Sequence, residues 1–413
     1  MRLVLFAILV FPFSAQAADW PQWRGPTGDN HAAAGATAPT EWSDESGLAW
    51  KTPVPGRGHS SPTVWGDRIY VTTCEKENET QSLLVLDRTT GELVKQTVAH
   101  EGKLPPKIHG NNTHASPTVA CDGERVFALF DNDLAAWVTA FDLDGNKLWQ
   151  ERVAEFNPKK FVFGFGSSPM LVGDLLVVST EYDGPDSGLY AIDTLTGKRR
   201  WHAPRPKSLS YSTPIAAVMA GKRQLVMSGN QQIAAYDPES GSELWSTKAS
   251  TYATCGTMVW DAKLGLWFAS GGFPAKFTCA VSADGDHEVV WNLNKARCYE
   301  QSLLAVDGYV YAVADDGIAH CFRGKDGEQM WVERLGGKFS SSPVLVDGKI
   351  YVTNEQGATY VFAASPESFE SLGENQLGDE CFATPTPVDG RLLHRFATSA
   401  DGVRREYLAA IGE

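Results

Sequence analysis

The residues best suited to chemistry in this sequence recur at one place in a repeated pattern. Two positions before the middle of a small polar motif stand His59, His114, Tyr211 and Glu300, with Gly166, Thr254, Ser340 and Phe382 at the corresponding places. Arg297, Tyr299 and Lys338 stand beside them, as do Arg57, His109, Asn111, Asn112, Phe163, Phe165 and Phe339. Two imidazoles and a carboxylate are donors for a divalent metal, and the same types among aromatics and cations make a polar pocket for a small ligand. His59 and His114 belong to neighbouring units but Glu300 to the sixth, so no metal centre is expected. The residues assigned to ligand binding are His59, His114, Tyr211, Arg297, Tyr299, Glu300 and Lys338; the bland alternative is a wet, polar channel mouth. No catalytic residue is assigned. The chain has no GxSxG elbow and no phosphate loop ahead of a helix, and Asp183, Asp186, Asp315 and Asp316 fall in predicted turns, where Asp bonds backbone amides.

The elements that must position this ring follow from the repeat. Its middle residues are placed at 61, 116, 168, 213, 256, 302, 342 and 384, so eight units succeed one another at about 46 residues each. Each begins with a pair such as Ser60-Ser61-Pro62, then an apolar stretch, a Gly-containing turn and a second apolar run. Each closes with Asp, a turn Gly and Trp at Gly plus four, as in Asp193-Gly197-Trp201 and Asp237-Gly241-Trp245. In such a hairpin Asp bonds the turn amides and Gly supplies the positive φ. Lys95 and Leu372 replace Trp in the first and seventh units, and Gly285/Trp291 is stretched by two. Four short strands per unit and eight units predict an all-β, eight-bladed β-propeller, with the Trp filling the space between blades. The last unit ends at Ile411 without its Trp strand, and Leu48-Ala49-Trp50 is an orphan Trp strand, so the N-terminal strand is expected to complete blade eight.

Composition narrows the partners. The chain has 413 residues and a formal charge of −14, which argues against nucleic acid and against electrostatic docking on an anionic membrane. Arg2, the apolar run Leu3 to Phe13 and Ala15-Gln16-Ala17 read as a signal peptide over residues 1–17, cleaved near Ala17, and no later stretch is long enough to span a bilayer. A periplasmic or secreted product is expected, with residues 18–46, including Trp20, Trp23 and Trp42, as an arm packed on a propeller of residues 47–413. Seven Cys, an odd number without CxxC spacing, leave at least one free thiol and read mostly as small apolar core residues.

The stretch Ala191 to Trp201 resembles the propellers built from pyrroloquinoline-quinone-type repeats, and the resemblance covers about residues 47–412. Asp19-Trp20-Pro21-Gln22-Trp23-Arg24-Gly25-Pro26 is similar to the opening of exported members of that group found in planctomycete-like bacteria. The resemblance implies a plan that serves to hold partners, as in the lipoprotein subunit of the outer-membrane β-barrel assembly machinery. It also implies a rival, a quinoprotein oxidoreductase holding pyrroloquinoline quinone and calcium on the axis. No two Cys are adjacent to stack that quinone, and its Trp floor and calcium ligands find no matching positions. The expectation is therefore a monomeric, non-catalytic binding or scaffolding propeller without a cofactor. Its partner would be a protein, a small molecule or a carbohydrate, met at the axial face or the blade rims; a carbohydrate-handling propeller is the further alternative.

Overall fold

The computed structural model describes residues 19–412. The expected leader, residues 1–17, lies outside them. Among the described residues thirty-two strands form eight four-stranded antiparallel sheets, and the helical element is one 3-10 turn, Ala400–Gly402. Blade 1 runs Thr63–Trp65, Arg68–Glu75, Thr80–Asp87 and Leu93–Glu101, from the inner strand outwards. Blades 2 to 7 follow the same order over 120–155, 170–204, 215–248, 259–293, 304–334 and 344–376. Blade 8 takes three strands from the C-terminal end, Thr386–Val388, Arg391–Thr398 and Arg405–Ile411, and its outer strand, Leu48–Val54, from the N-terminal side. Trp50 pairs with Ala410 and Val54 with Glu406, which joins the two ends of the propeller and removes an open sheet edge.

The closing hairpins behave as their chemistry dictates. The Asp193 carboxylate accepts from the Thr196 amide at 2.8 Å, and Asp237 accepts from the Glu239 and Ser240 amides at 3.0 and 2.8 Å. The Thr196 hydroxyl, which donates to Asp193 at 2.8 Å, followed by the Thr196 amide, holds the Asp193 carboxyl below the usual carboxylate range, and the Ser240 amide and hydroxyl do the same for Asp237. The turn glycine has φ near +72° at Gly197, and the Trp of the preceding blade lies on it: a Cβ on Gly241 would fall 2.5 Å from the Trp201 ring. Only a residue without a side chain fits both demands. Trp201 also donates to the Pro238 carbonyl at 3.1 Å, Trp291 to that of Gly324 at 2.7 Å and Trp331 to that of Ser365 at 2.8 Å, so these three indoles bolt their blades to the next turn.

The exceptions have reasons. Blade 5 has the stretched turn, and there Trp245 stacks on His287 with centroids 4.3 Å apart. Blade 1 offers Lys95, whose stem covers Gly145 while its ammonium donates to Asn146. Blade 7 needs no Trp because blade 8 has no outer hairpin; the two ends of the propeller meet there instead, and Gly412 donates to the Gly47 carbonyl at 2.8 Å. The seven Cys are all free, six buried and Cys255 half-buried.

The arm does more than pack through its aromatics. Trp20 exchanges two backbone bonds with Val64 of blade 1, the Pro21 carbonyl accepts from Cys121 of blade 2, and Gln22 accepts from Leu171 of blade 3. Trp23 donates to Thr257 of blade 5, Arg24 to the Leu303 carbonyl of blade 6, and Asn30 to that of Pro343 in blade 7. Gly28 lies against Ile215 of blade 4, and Thr37 beside Gly390 of blade 8. Burial drives the Arg24 guanidinium down to about 10. One short segment thus touches the inner region of every blade.

Candidate functional site

The position that faces the axis is set by strand pairing. In each blade a hydroxyl residue stands two places before the first paired residue of the inner strand: Ser61 before Thr63, Thr118 before Ala120, Ser168 before Met170, and so on to Thr384 before Thr386. These hydroxyls link the blades. The Ser61 amide donates to Thr118 Oγ1 at 3.0 Å, Thr118 to Ser168 at 3.0 Å and Ser168 to Thr213 at 2.9 Å. Thr257 donates to Ser302 at 2.9 Å, Ser302 to Ser342 at 3.0 Å, Ser342 to Thr384 at 2.9 Å, and Thr384 back to Ser61 at 3.1 Å.

Two places further back come the residues that wall an axial cavity of about 220 Å³: His59, Ser116, Gly166, Tyr211, Cys255, Glu300, Ser340 and Phe382, one from each blade. Trp23 of the arm also lines it, as do Tyr299 and, from the two connections 102–119 and 156–169, His109, Asn111, Asn112 and Phe163. Four of the seven residues assigned from sequence therefore meet in the wall: His59, Tyr211, Tyr299 and Glu300.

The other three lie elsewhere. In blade 2 the pairing of Ala120 with Phe127 makes Thr118 the ring residue, so the Ser116-Pro117 pair sits two residues early and Ser116, not His114, takes the wall position. His114 is half-buried, and its carbonyl accepts from Gln81 Nε2 at 2.7 Å. In blade 5 Thr257 replaces Gly256 as the ring residue, which puts Cys255 in the wall in place of Thr254. Arg297 is exposed and paired with Asp315 at 3.1 Å, and Lys338 is exposed. The acidic turn residues are structural: Asp183 accepts from the Lys159 and Lys160 amides, Asp186 from that of Glu155, and Asp315 from that of Tyr299.

The electrostatics of the wall follow from burial. His59 stacks on Phe382 with centroids 4.3 Å apart, and burial, followed by the guanidinium groups of Arg57, Arg395 and Arg404, holds its imidazole well below the usual range and therefore neutral. Burial pushes the Glu300 carboxyl up to about 7; the carboxylates of Glu355 and Asp315 push the same way, and a hydrogen bond with Ser340 opposes them. The thiol of Cys255 and the phenols of Tyr211 and Tyr299 are raised by burial as well, so they face the lumen protonated. Tyr211 is 8% exposed, and its hydroxyl has no partner. Among the described residues no three His, Cys, Asp or Glu side chains are placed to hold a metal ion. The wall holds neutral donors, aromatic faces and one carboxyl.

Fold and site define the class: an eight-bladed β-propeller with an axial cavity built from its inner connections. The chain belongs to the family whose model is described as outer membrane protein assembly factor BamB, matched over residues 28–160, 159–285 and 256–367. No curated protein matches it in sequence. Solved structures that share the fold include BamB from Moraxella catarrhalis, at 13% identity and a TM-score of 0.60, covering 87% of this chain and 98% of that one. A europium-containing methanol dehydrogenase has 12% identity, a TM-score of 0.68 and coverage of 95% and 98%. The quinohemoprotein alcohol dehydrogenase of Comamonas testosteroni has 12% identity, a TM-score of 0.66 and coverage of 96% and 81%. Identities this low show the fold alone.

Proposed function

We propose that the chain is an exported, non-catalytic binding propeller whose recognition site is the open end of the axial cavity. The observation that carries this reading is the cavity itself, floored by Trp23 and walled by one residue from every blade. A site to which all blades contribute is preorganised, because the hydroxyl ring directly beneath its wall residues locks the blades together. Kinship with BamB, an assembly factor by name, favours holding a partner, and the apolar run Leu3 to Phe13 favours export. No helix among the described residues is long and apolar enough to cross a membrane.

The dehydrogenase neighbours supply the second reading, and the wall does not fit its cofactor. Pyrroloquinoline quinone carries three carboxylates, whereas the lining contains no Arg or Lys. Calcium would meet Glu300 alone, a carboxyl that burial keeps partly protonated near neutrality. Both features weigh against a bound quinone.

The test is capture of ligands from a periplasmic extract by the immobilised protein, beside Gly166→Leu, which fills the cavity, and Leu195→Ser on an exposed rim. Capture lost only in Gly166→Leu supports the axial site; capture lost only in the rim variant moves the surface there. Quinone-and-calcium-dependent dye reduction that disappears in Glu300→Gln would replace this reading with the enzymatic one.

A further inference from the structure

We infer that the axial cavity receives one neutral, hydroxyl-rich ring, a free monosaccharide or the terminal sugar of a glycan. The inference rests on the axial-site reading above and names its ligand class.

The first ground is the donor pattern. Seven of the ring hydroxyls accept a backbone amide from the neighbouring blade, as Thr118 does from Ser61 at 3.0 Å and Thr384 from Ser342 at 2.9 Å, and the eighth, Thr257, accepts the Trp23 indole N–H. A hydroxyl whose oxygen is so engaged keeps its O–H to give, and five of the eight, Ser61, Thr118, Ser168, Thr213 and Thr384, line the lumen as donors. The Tyr211 phenol adds one that is nine-tenths buried and has no partner at all. An unmet buried donor is costly, and an oxygen brought by a ligand relieves that cost.

The second ground is charge. Such a set of donors would also suit an anion, but no cation stands in the lining, Glu300 faces the same space, and the chain carries −14 overall. Neutral oxygens remain as the matching acceptors. The third is shape and size. At about 220 Å³ the cavity is smaller than the ~300 Å³ at which pockets for drug-sized ligands begin, so it suits a single ring rather than a fused cofactor or a peptide segment. Flat aromatic faces in the lining, Phe382 stacked on His59 and Phe163 set edge-on against His109, offer the apolar contact that the C–H face of a sugar needs. Just outside, Phe273 is 43% exposed and meets Phe161 with centroids 6.2 Å apart, a platform for the next residue of a chain.

The experiment is calorimetric titration of the mature protein with neutral hexoses and pentoses, their methyl glycosides, neutral disaccharides, a uronic acid and neutral peptides. The expected result is saturable binding of at least one neutral sugar, with the uronic acid weaker. Tyr211→Phe should weaken that binding about tenfold, the loss of one well-placed hydrogen bond, without lowering the melting temperature. Disaccharides bound more tightly than monosaccharides, with the gain lost in Phe273→Ala, would identify a glycan end; equal affinities would identify a free sugar. No neutral sugar bound, the uronic acid preferred, or indifference to Tyr211→Phe overturns the inference. If a peptide then binds and Gly166→Leu abolishes it, the axial site stands and only the ligand class falls. If Gly166→Leu leaves every interaction unchanged, both readings fall.

Discussion

The two ends of the axial channel are built from opposite kinds of chain. The lower end is closed by one continuous segment near the N-terminus, whose bonds run to residues as distant in sequence as Thr257 and Pro343. The upper end is assembled from eight separate connections, each adding at least one wall residue, and it stays open. A plug of local sequence with nonlocal partners stabilises a fold, whereas a mosaic of short connections can vary its chemistry without disturbing the blades. The difference assigns stability to the floor and recognition to the mouth.

The largest effect that would break this contrast is removal of the floor. Deleting residues 19–32 is expected to destabilise the protein well beyond the ~3–5 kcal/mol of one buried Trp→Ala change, because bonds to six blades go at once. Urea denaturation measures it, and a deletion no worse than Trp20→Ala would show that the arm only decorates the propeller. Next comes the blade seam: Trp245→Ala should cost about 3–5 kcal/mol through lost burial and the cavity left behind. Lys95→Ala, a half-exposed stem in the same register, should cost less than ~1 kcal/mol. Equal midpoints for the two would refute the inter-blade role of the Trp.

At the mouth the expected effects on stability are smaller. Glu300 has a folded-state value of about 7 against an ordinary 4.5. The folded protein therefore binds this proton more tightly than the unfolded chain does. Its contribution is complete below the ordinary value and is lost as pH rises towards 7. Glu300→Gln should raise the melting temperature above pH ~8 and leave it unchanged below pH ~4.5; a uniform shift at both would remove the group from the mouth's titration. The smallest change is Tyr211→Phe, which deletes an unpartnered hydroxyl and should be neutral or stabilising by up to ~1 kcal/mol. A clear loss would mean that the phenol is satisfied within the protein and is not held out to a ligand.

Much of the fold was legible because its signals are local. Asp193, Gly197 and Trp201 sit within one hairpin, and the amide bonds, the positive φ and the indole seat all follow from that spacing. The orphan Leu48-Ala49-Trp50 strand matched the missing partner of Tyr407 to Ile411 for the same reason, since a repeat that ends one strand short states what must complete it. The site was legible only in part. Tyr299 and Glu300 were found because blade 6 keeps the common register, but Ser116-Pro117 imitates the motif two residues early, and nothing within that tripeptide reveals it.

What the sequence determined by itself is therefore whatever a period of about 46 residues can encode: the number of blades, the order of strands, the turn chemistry and the strand that closes the ring. What only the tertiary structure decided is which side chains meet on the axis. Thr118 displaces Ser116 from the ring because pairing with a second strand, not the motif, sets the register. Trp23 becomes a floor because its indole reaches Thr257, 234 residues away, across a space that exists only once eight blades have closed around it.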